Sequence, residues 1–138
     1  MRSAPSGRGL GSDMWTFEIT TGKWYDPTGA YVSTGYAGAG DGKDNPADED
    51  VPDVGPLPEG TYQMGPWFND PEKGPIVCHL TPLPGTNDYG RSGFMIHGDS
   101  IAHPGTASLG CAIADHPTRL AMSESPDQVL NVVAVRTA

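Results

Sequence analysis

Apolar and polar residues alternate from Met14 to Thr20 (MWTFEIT), the period of two expected of a strand with one buried face. Thr21-Gly22 turns the chain and Lys23-Trp24-Tyr25 returns it. Asp26-Pro27-Thr28-Gly29 is a second turn signal, followed by a strand from Ala30 to Thr34, so the chain opens as a β-meander. Leu57-Pro58-Glu59-Gly60 turns into a strand at Thr61–Met64. A turn region from Asn69 to Pro75 leads to a buried strand at Ile76–Leu80. After a loop from Pro82 to Arg91, the run Phe94-Met95-Ile96 predicts a strand that ends at His97. Asp115 is placed to cap a short helix from His116 to Met122, with Pro117 tolerated in its first turn. Val129 to Arg136 is almost continuously apolar, as in a central strand covered on both faces. There is no internal repeat. The pattern predicts a mainly β fold of short strands with one short helix.

Composition agrees with this reading. The 138 residues suffice for one domain with one core, expected over residues 13–138 behind a flexible leader at 1–12. With 19 Gly and 14 Pro, almost every window long enough for an extended helix is interrupted. Residues 35–58 are the exception to the strand pattern. They hold six of the 17 acidic residues (Asp41, Asp44, Asp48, Glu49, Asp50 and Asp53) among repeated Gly and Pro. A calcium loop was weighed there, but the spacing does not match an EF-hand. A long solvated flap beside the active site is the expectation.

The net charge of −9 and a pI near 4.6 come without any basic stripe, which argues against a nucleic-acid partner. No apolar stretch reaches the ~18 residues of a membrane span. The N-terminus MRSAPSGRGLGSD lacks the apolar region of a secretory signal, so none is expected.

The chemistry concentrates between Phe94 and Cys111 (FMIHGDSIAHPGTASLGC). A strand delivers His97-Gly98, and fourteen residues later the turn Ser108-Leu109-Gly110 delivers Cys111. A cysteine nucleophile needs a base and a backbone able to hold an oxyanion. His97 supplies the base in a thiolate–imidazolium pair, with the Gly98 carbonyl orienting its ring. The N–H groups of Gly110 and Cys111 outline the oxyanion hole. Arg91 and Arg119 are candidate carboxylate clamps, Arg91 the better placed because it immediately precedes the His97 strand. Asp99 and Ser100 are expected to line the cleft, with His103 near substrate. Cys78 and His79 are strand neighbours pointing to opposite faces, hence poor joint ligands. No CxxC or HExxH spacing supports zinc, and no cofactor is called for. Two cysteines are too few for a disulfide framework, and a Cys78–Cys111 bond would silence the nucleophile.

His-Gly after a strand, a loop of this length and then Ser108-Leu109-Gly110-Cys111 resemble the L,D-transpeptidase (YkuD-like) catalytic domain. Leu109 stands where that family has its second histidine, and no arginine follows at 112 or 113. Gly35-Tyr36-Ala37-Gly38, Val54-Gly55-Pro56-Leu57-Pro58-Glu59-Gly60-Thr61-Tyr62, Gly90-Arg91-Ser92-Gly93-Phe94 and Ile96-His97-Gly98-Asp99 are similar to the type VI secretion L,D-transpeptidase-like effector (Tlde) branch. The resemblance implies a β-sandwich or barrel with its Cys–His site in a groove. The implied substrate is peptidoglycan tetrapeptide stems, and the implied activity is L,D-carboxypeptidase or D-amino-acid exchange. Cys111 becomes the nucleophile, His97 the base, Gly98 the ring orienter and Gly110 part of the catalytic turn. Ser108, Leu109, Asp99 and Arg91 are expected on the substrate side, Arg91 standing in for the missing arginine. The implied partners are a cognate immunity protein and the secretion apparatus. The implied route is synthesis in the cytoplasm and action in the periplasm of a target bacterium. A catalytically inactive binding module and a protein-cleaving cysteine protease are the alternatives, and thiol labelling at Cys111 against Cys78 separates the first of them.

Overall fold

The computed structural model describes residues 14–136; the leader expected over residues 1–12 lies outside them. The strands are β1 (Met14–Glu18), β2 (Lys23–Tyr25), β3 (Tyr31–Thr34), β4 (Tyr36–Ala37), β5 (Gly60–Met64), β6 (Phe68–Asp70), β7 (Gly74–Pro82), β8 (Met95–His97), β9 (Ala112–Ile113) and β10 (Val129–Val133). The helix α1 spans His116–Ser123. The meander, the helix and the last strand stand where the alternation predicts them. Asp115 caps α1 by accepting from the Thr118 N–H at 2.9 Å, which satisfies one of the free donors of its first turn.

Hydrogen-bonded neighbours run β3-β2-β1-β10-β5-β7-β8-β9-β4, with β6 paired to β7 off this path. The two ends of the path, β3 and β4, are consecutive in the chain and joined by Gly35 alone. A Cβ on Gly35 would meet the Ile113 carbonyl at 1.7 Å, so only glycine lets β9 approach this corner. The sheet thus curls back on itself, and the fold is a mixed, barrel-like sheet closed through a one-residue corner. Strand β10 is central, parallel to β1 and antiparallel to β5. It buries Leu130 and Val132 but leaves the alternate positions half-exposed, so its continuous apolar run overstates its burial.

Inside the curl, Trp15, Phe17 and Ile19 follow the period of two into the core against Trp24, Tyr62, Leu57 and Ile96. Phe17 and Trp24 pack with ring centroids 4.8 Å apart and planes tilted by 49°. The buried Trp24 indole N–H donates to Ile113 O at 3.0 Å, tying the core to β9.

Three expectations need correction. Residues 35–58 are not one long solvated flap. They begin with β4 and continue through two 3-10 turns, Gly40–Gly42 and Pro46–Asp48, and they bury Glu49 and the stretch 55–58. The Asn69–Pro75 turn is shorter than expected, because β6 and the start of β7 occupy its two ends. Strands β4 and β9 were not anticipated; at two residues each they show no periodicity.

Candidate active site

Strand β7 pairs antiparallel with β8, and β8 pairs parallel with β9 through Ile96↔Ala112 and His97↔Ile113. Paired residues of neighbouring strands share a face and successive residues alternate. Ile96 and Ala112 therefore point into the core. His97 and Cys111, the residue just before β9, fall on the opposite face as diagonal neighbours. Both line one cavity of about 500 Å³, together with Leu109, Gly110, Arg91 and Lys73.

His97 is 3 % exposed, and its Nδ1 lies 2.8 Å from the Gly98 carbonyl oxygen. A carbonyl only accepts, so Nδ1 carries the proton and the lone pair of Nε2 is left for proton transfer. Burial, with Lys73 and Arg119 as like-charged neighbours, holds the imidazole below its ordinary range, against the pull of the Gly98 bond. Behind Gly98 lies Arg119, which would stand 2.8 Å from a Cβ at that position. Its guanidinium donates to Ala114 O at 3.0 Å, Pro75 O at 2.8 Å and Ile76 O at 3.1 Å. Arg119 is scaffold beneath the His-Gly turn, and its bonded donors are not offered to a substrate carboxylate.

Cys111 and Cys78 are both free thiols. Cys78 is fully buried, its thiol pushed up to about 12 by desolvation. Cys111 Sγ lies 3.7 Å from the Gly93 carbonyl oxygen. Burial also raises the Cys111 thiol, while the Met95 N–H and the charges of Lys73 and Arg91 pull it back down. With the thiol raised and the imidazole lowered, burial penalises both charges and favours a neutral Cys–His pair in the free site over the expected thiolate–imidazolium pair.

The turn before Cys111 is built around Ser108, which is fully buried. Its Oγ accepts from the Gly38 N–H at 2.8 Å and the Gly110 N–H at 3.0 Å, and donates to Cys111 O at 2.7 Å. Ser108 therefore shapes the turn from within. The Gly110 N–H is consumed by it, so of the two expected oxyanion donors only the Cys111 N–H remains. Gly110 has φ +131°, and a Cβ there would meet Arg91 Nη2 at 2.2 Å. Arg91 donates to Glu49 O at 2.7 Å, Pro56 O at 2.8 Å and Gly55 O at 3.1 Å. It borders the cavity, but its main work is to fasten residues 49–56 beneath the cysteine turn.

Leu109 is 62 % exposed at the cavity rim, available to a ligand. Asp99 lies outside this cavity and lines a second one. Its carboxylate accepts from the Tyr36 hydroxyl at 2.6 Å and from the Ser100 and Gly105 N–H groups at 2.8 and 3.0 Å. It organises the loop between His97 and Cys111. His103 is exposed and lines neither cavity. Pro52 and Asp53 do border the Cys111 cavity, so the acidic segment reaches the site. The residues missed from the sequence are Lys73 and Tyr89, both charge or ring on a turn. Nothing local sets them apart from ordinary surface residues. Among the described residues no three of His, Cys, Asp and Glu converge where they could hold a metal ion. No helix among them is long and apolar enough to cross a membrane.

Comparison with known proteins agrees with this architecture. Among solved structures, the helical cell shape determining protein Pgp2 from Campylobacter jejuni is similar, with a TM-score of 0.54 at 17 % identity. The match covers 90 % of this chain and 48 % of that one, so this chain spans about half of that protein's length. No curated protein matches the chain. The model of the Tlde1 domain matches residues 32–137, a span that includes both cavities, His97 and Cys111. The chain belongs to the Tlde1 domain family, the L,D-transpeptidase effector family of type VI secretion.

Proposed function

We propose that this protein is a cysteine enzyme that trims or exchanges the terminal D-alanine of peptidoglycan tetrapeptide stems, delivered as an antibacterial effector into the periplasm of a target cell. The observation that carries the reading is the placement of His97 and Cys111 on one face of adjacent parallel strands, opening into one cavity. Family membership supplies the substrate class.

As sulfur closes on the carbonyl of the L-centre of meso-diaminopimelate, His97 Nε2 takes the Cys111 proton, so the thiolate forms only when it reacts. The Cys111 N–H stands nearest the developing oxyanion. The tetrahedral intermediate collapses by breaking the bond to D-alanine, whose nitrogen receives the proton from His97. The thioester is then attacked by water, which gives a proton to His97. Collapse expels sulfur, which recovers that proton, and the product is a tripeptide stem. A D-amino acid whose amine replaces the water yields an exchanged stem. Either outcome removes a donor for cross-linking and weakens a growing wall.

The test incubates wild type and Cys111→Ala with disaccharide-tetrapeptide, with and without D-methionine, and reads the products by mass spectrometry. Loss of D-alanine, or its replacement by D-methionine, is expected in wild type alone. The variant should fall by at least about a thousandfold, the scale of losing a covalent nucleophile. A folded wild type that converts no muropeptide overturns the proposal in favour of a binding module.

A further inference from the structure

The site has two cavities, and the dyad is not shared evenly between them. Cys111 lines the first alone. His97 lines the first and also a second of about 860 Å³ that runs along Asp99, His116 and Arg119. Of the charged side chains, Lys73 alone lines both cavities with His97. The acyl half of a substrate must sit on the sulfur side. The amine that leaves or enters must sit within reach of His97, which exchanges a proton with it. In an α-amino acid the carboxylate carbon lies only about 2.5 Å from that nitrogen. A group that recognises the carboxylate therefore has to stand beside His97, at the junction of the cavities.

We infer that Lys73 binds the α-carboxylate of the departing or incoming D-amino acid, with the second cavity as its side-chain subsite. This rests on the stem-peptide reading above and adds to it the residue that selects the amino-acid half. Three observations support it. The Lys73 backbone is held in place: Asp70 Oδ1 accepts from the Glu72 and Lys73 N–H groups at 2.8 and 2.9 Å. Lys73 O accepts from the Gly98 N–H at 3.3 Å, which fixes the lysine to the His-Gly turn. Its ammonium makes no hydrogen bond within the described residues, whereas Arg119 and Arg91 each donate to three backbone carbonyls. Its charge also reaches both His97 and Cys111. The second cavity also carries Glu72, Asp99 and Arg119. Arg119 spends its Nε and Nη1 donors on backbone carbonyls, so Lys73 is the cation at the junction whose donors are uncommitted, and the amino-acid side chain extends away from it along the second cavity.

The test is calorimetric binding to the Cys111→Ala protein, which cannot turn over. Disaccharide-tetrapeptide with a free terminal carboxylate is compared with the same ligand as its C-terminal amide. The acid is expected to bind about tenfold more tightly, the scale of a charge-assisted hydrogen bond. Adding Lys73→Gln should reduce that ratio to about twofold or less, and Lys73→Arg should restore it, with thermal melts confirming that each variant folds. Equal affinities for acid and amide, no measurable binding of either, or a ratio that survives Lys73→Gln each overturn the inference. Trimming by wild type alongside equal affinities would leave the hydrolytic reading in place and remove this one. Discrimination by Lys73 without turnover would do the reverse.

Discussion

His97-Gly98 and Gly110-Cys111, the two halves of the site, are each propped by a buried arginine that passes under a glycine and donates to three backbone carbonyls. What the arginines hold differs. Arg119 sits on α1 and ties the first residues of β7 to the exit of β9, so the histidine half rests on regular elements that already have ladder bonds. Arg91 reaches into residues 49–56, a loop with few bonds of its own beyond the Val51 and Gly55 turn bonds and the Ala39–Val54 bond, and adds three more. His97, the proposed base, is therefore set by the sheet, and Cys111, the proposed nucleophile, by a sheet edge plus a loop that one side chain fastens. Disturbing the first half should destabilise the whole fold most, whereas disturbing the second should chiefly misplace the thiol.

Arg119→Met is the largest expected break. It leaves the buried Ala114 carbonyl and the part-buried Pro75 and Ile76 carbonyls without their donor and empties a buried guanidinium site, at a cost of about 3 kcal/mol. Thermal unfolding should fall by roughly 10 °C. A drop no larger than that of Arg91→Met would erase the contrast between the halves.

Gly110→Ala comes next, with its effect on rate. The added methyl meets Arg91 and the backbone is strained at φ +131°. Steady-state kcat/KM on tetrapeptide is expected to drop about a hundredfold, the effect of displacing a reacting atom by about an ångström. The melting temperature should move by only a few degrees.

Arg91→Met should cost about 2 kcal/mol, because its three bonds are buried but close a loop that can open locally to hydrate the released carbonyls. Its sharper readout is iodoacetamide alkylation against pH. In wild type the reaction should climb only above the ordinary thiol value of 9.0, since burial raises the thiol. Removing Arg91 should push that curve still higher. Rapid alkylation near pH 6 would show that an ion pair exists after all.

Glu49, the loop residue whose carbonyl Arg91 holds, gives the smallest effect. Burial first, and then the neighbouring Glu59 carboxyl, raise it from 4.5 to about 7, partly offset by the Glu59 N–H bond and the Arg91 charge. The native state then keeps a proton that the unfolded chain has released. Its contribution is full below pH 4.5 and is lost as pH rises through about 7. Glu49→Gln, which keeps the acceptor for the Glu59 N–H, should flatten this slope. It should also raise the melting temperature at pH 8 by roughly 2 °C. An unchanged pH slope would show that Glu49 does not titrate in this range.

The elements most legible in the sequence are those whose side chains carry a period. Trp15, Phe17 and Ile19 announce a strand. Asp115 with Pro117 announces a helix start, because capping chemistry is local. The Phe94–Cys111 segment was legible as chemistry because the residue types themselves carry it. The assignments to Ser108, Arg91 and Asp99 show the limit. Each is polar and near the dyad in sequence; Ser108 and Arg91 spend their polar atoms on backbone, and Asp99 spends its own on the Tyr36 hydroxyl and two backbone N–H groups. Which partner a polar side chain takes is decided by approach in three dimensions, and a spacing does not encode it. Lys73 is the converse case: twenty-four residues from His97 in the chain, it arrives beside it through the β6–β7 turn and the β7–β8 pairing.

The sequence by itself determined a small, acidic, strand-rich domain and singled out His97 and Cys111 as its candidate pair, because periodicity, turn residues and nucleophile chemistry act over a few residues. Only the tertiary structure decided the closure of the sheet through Gly35, the burial that penalises charge on His97 and Cys111, and the division of the groove into two cavities. Burial, close approach and field strength depend on neighbours supplied by distant parts of the chain.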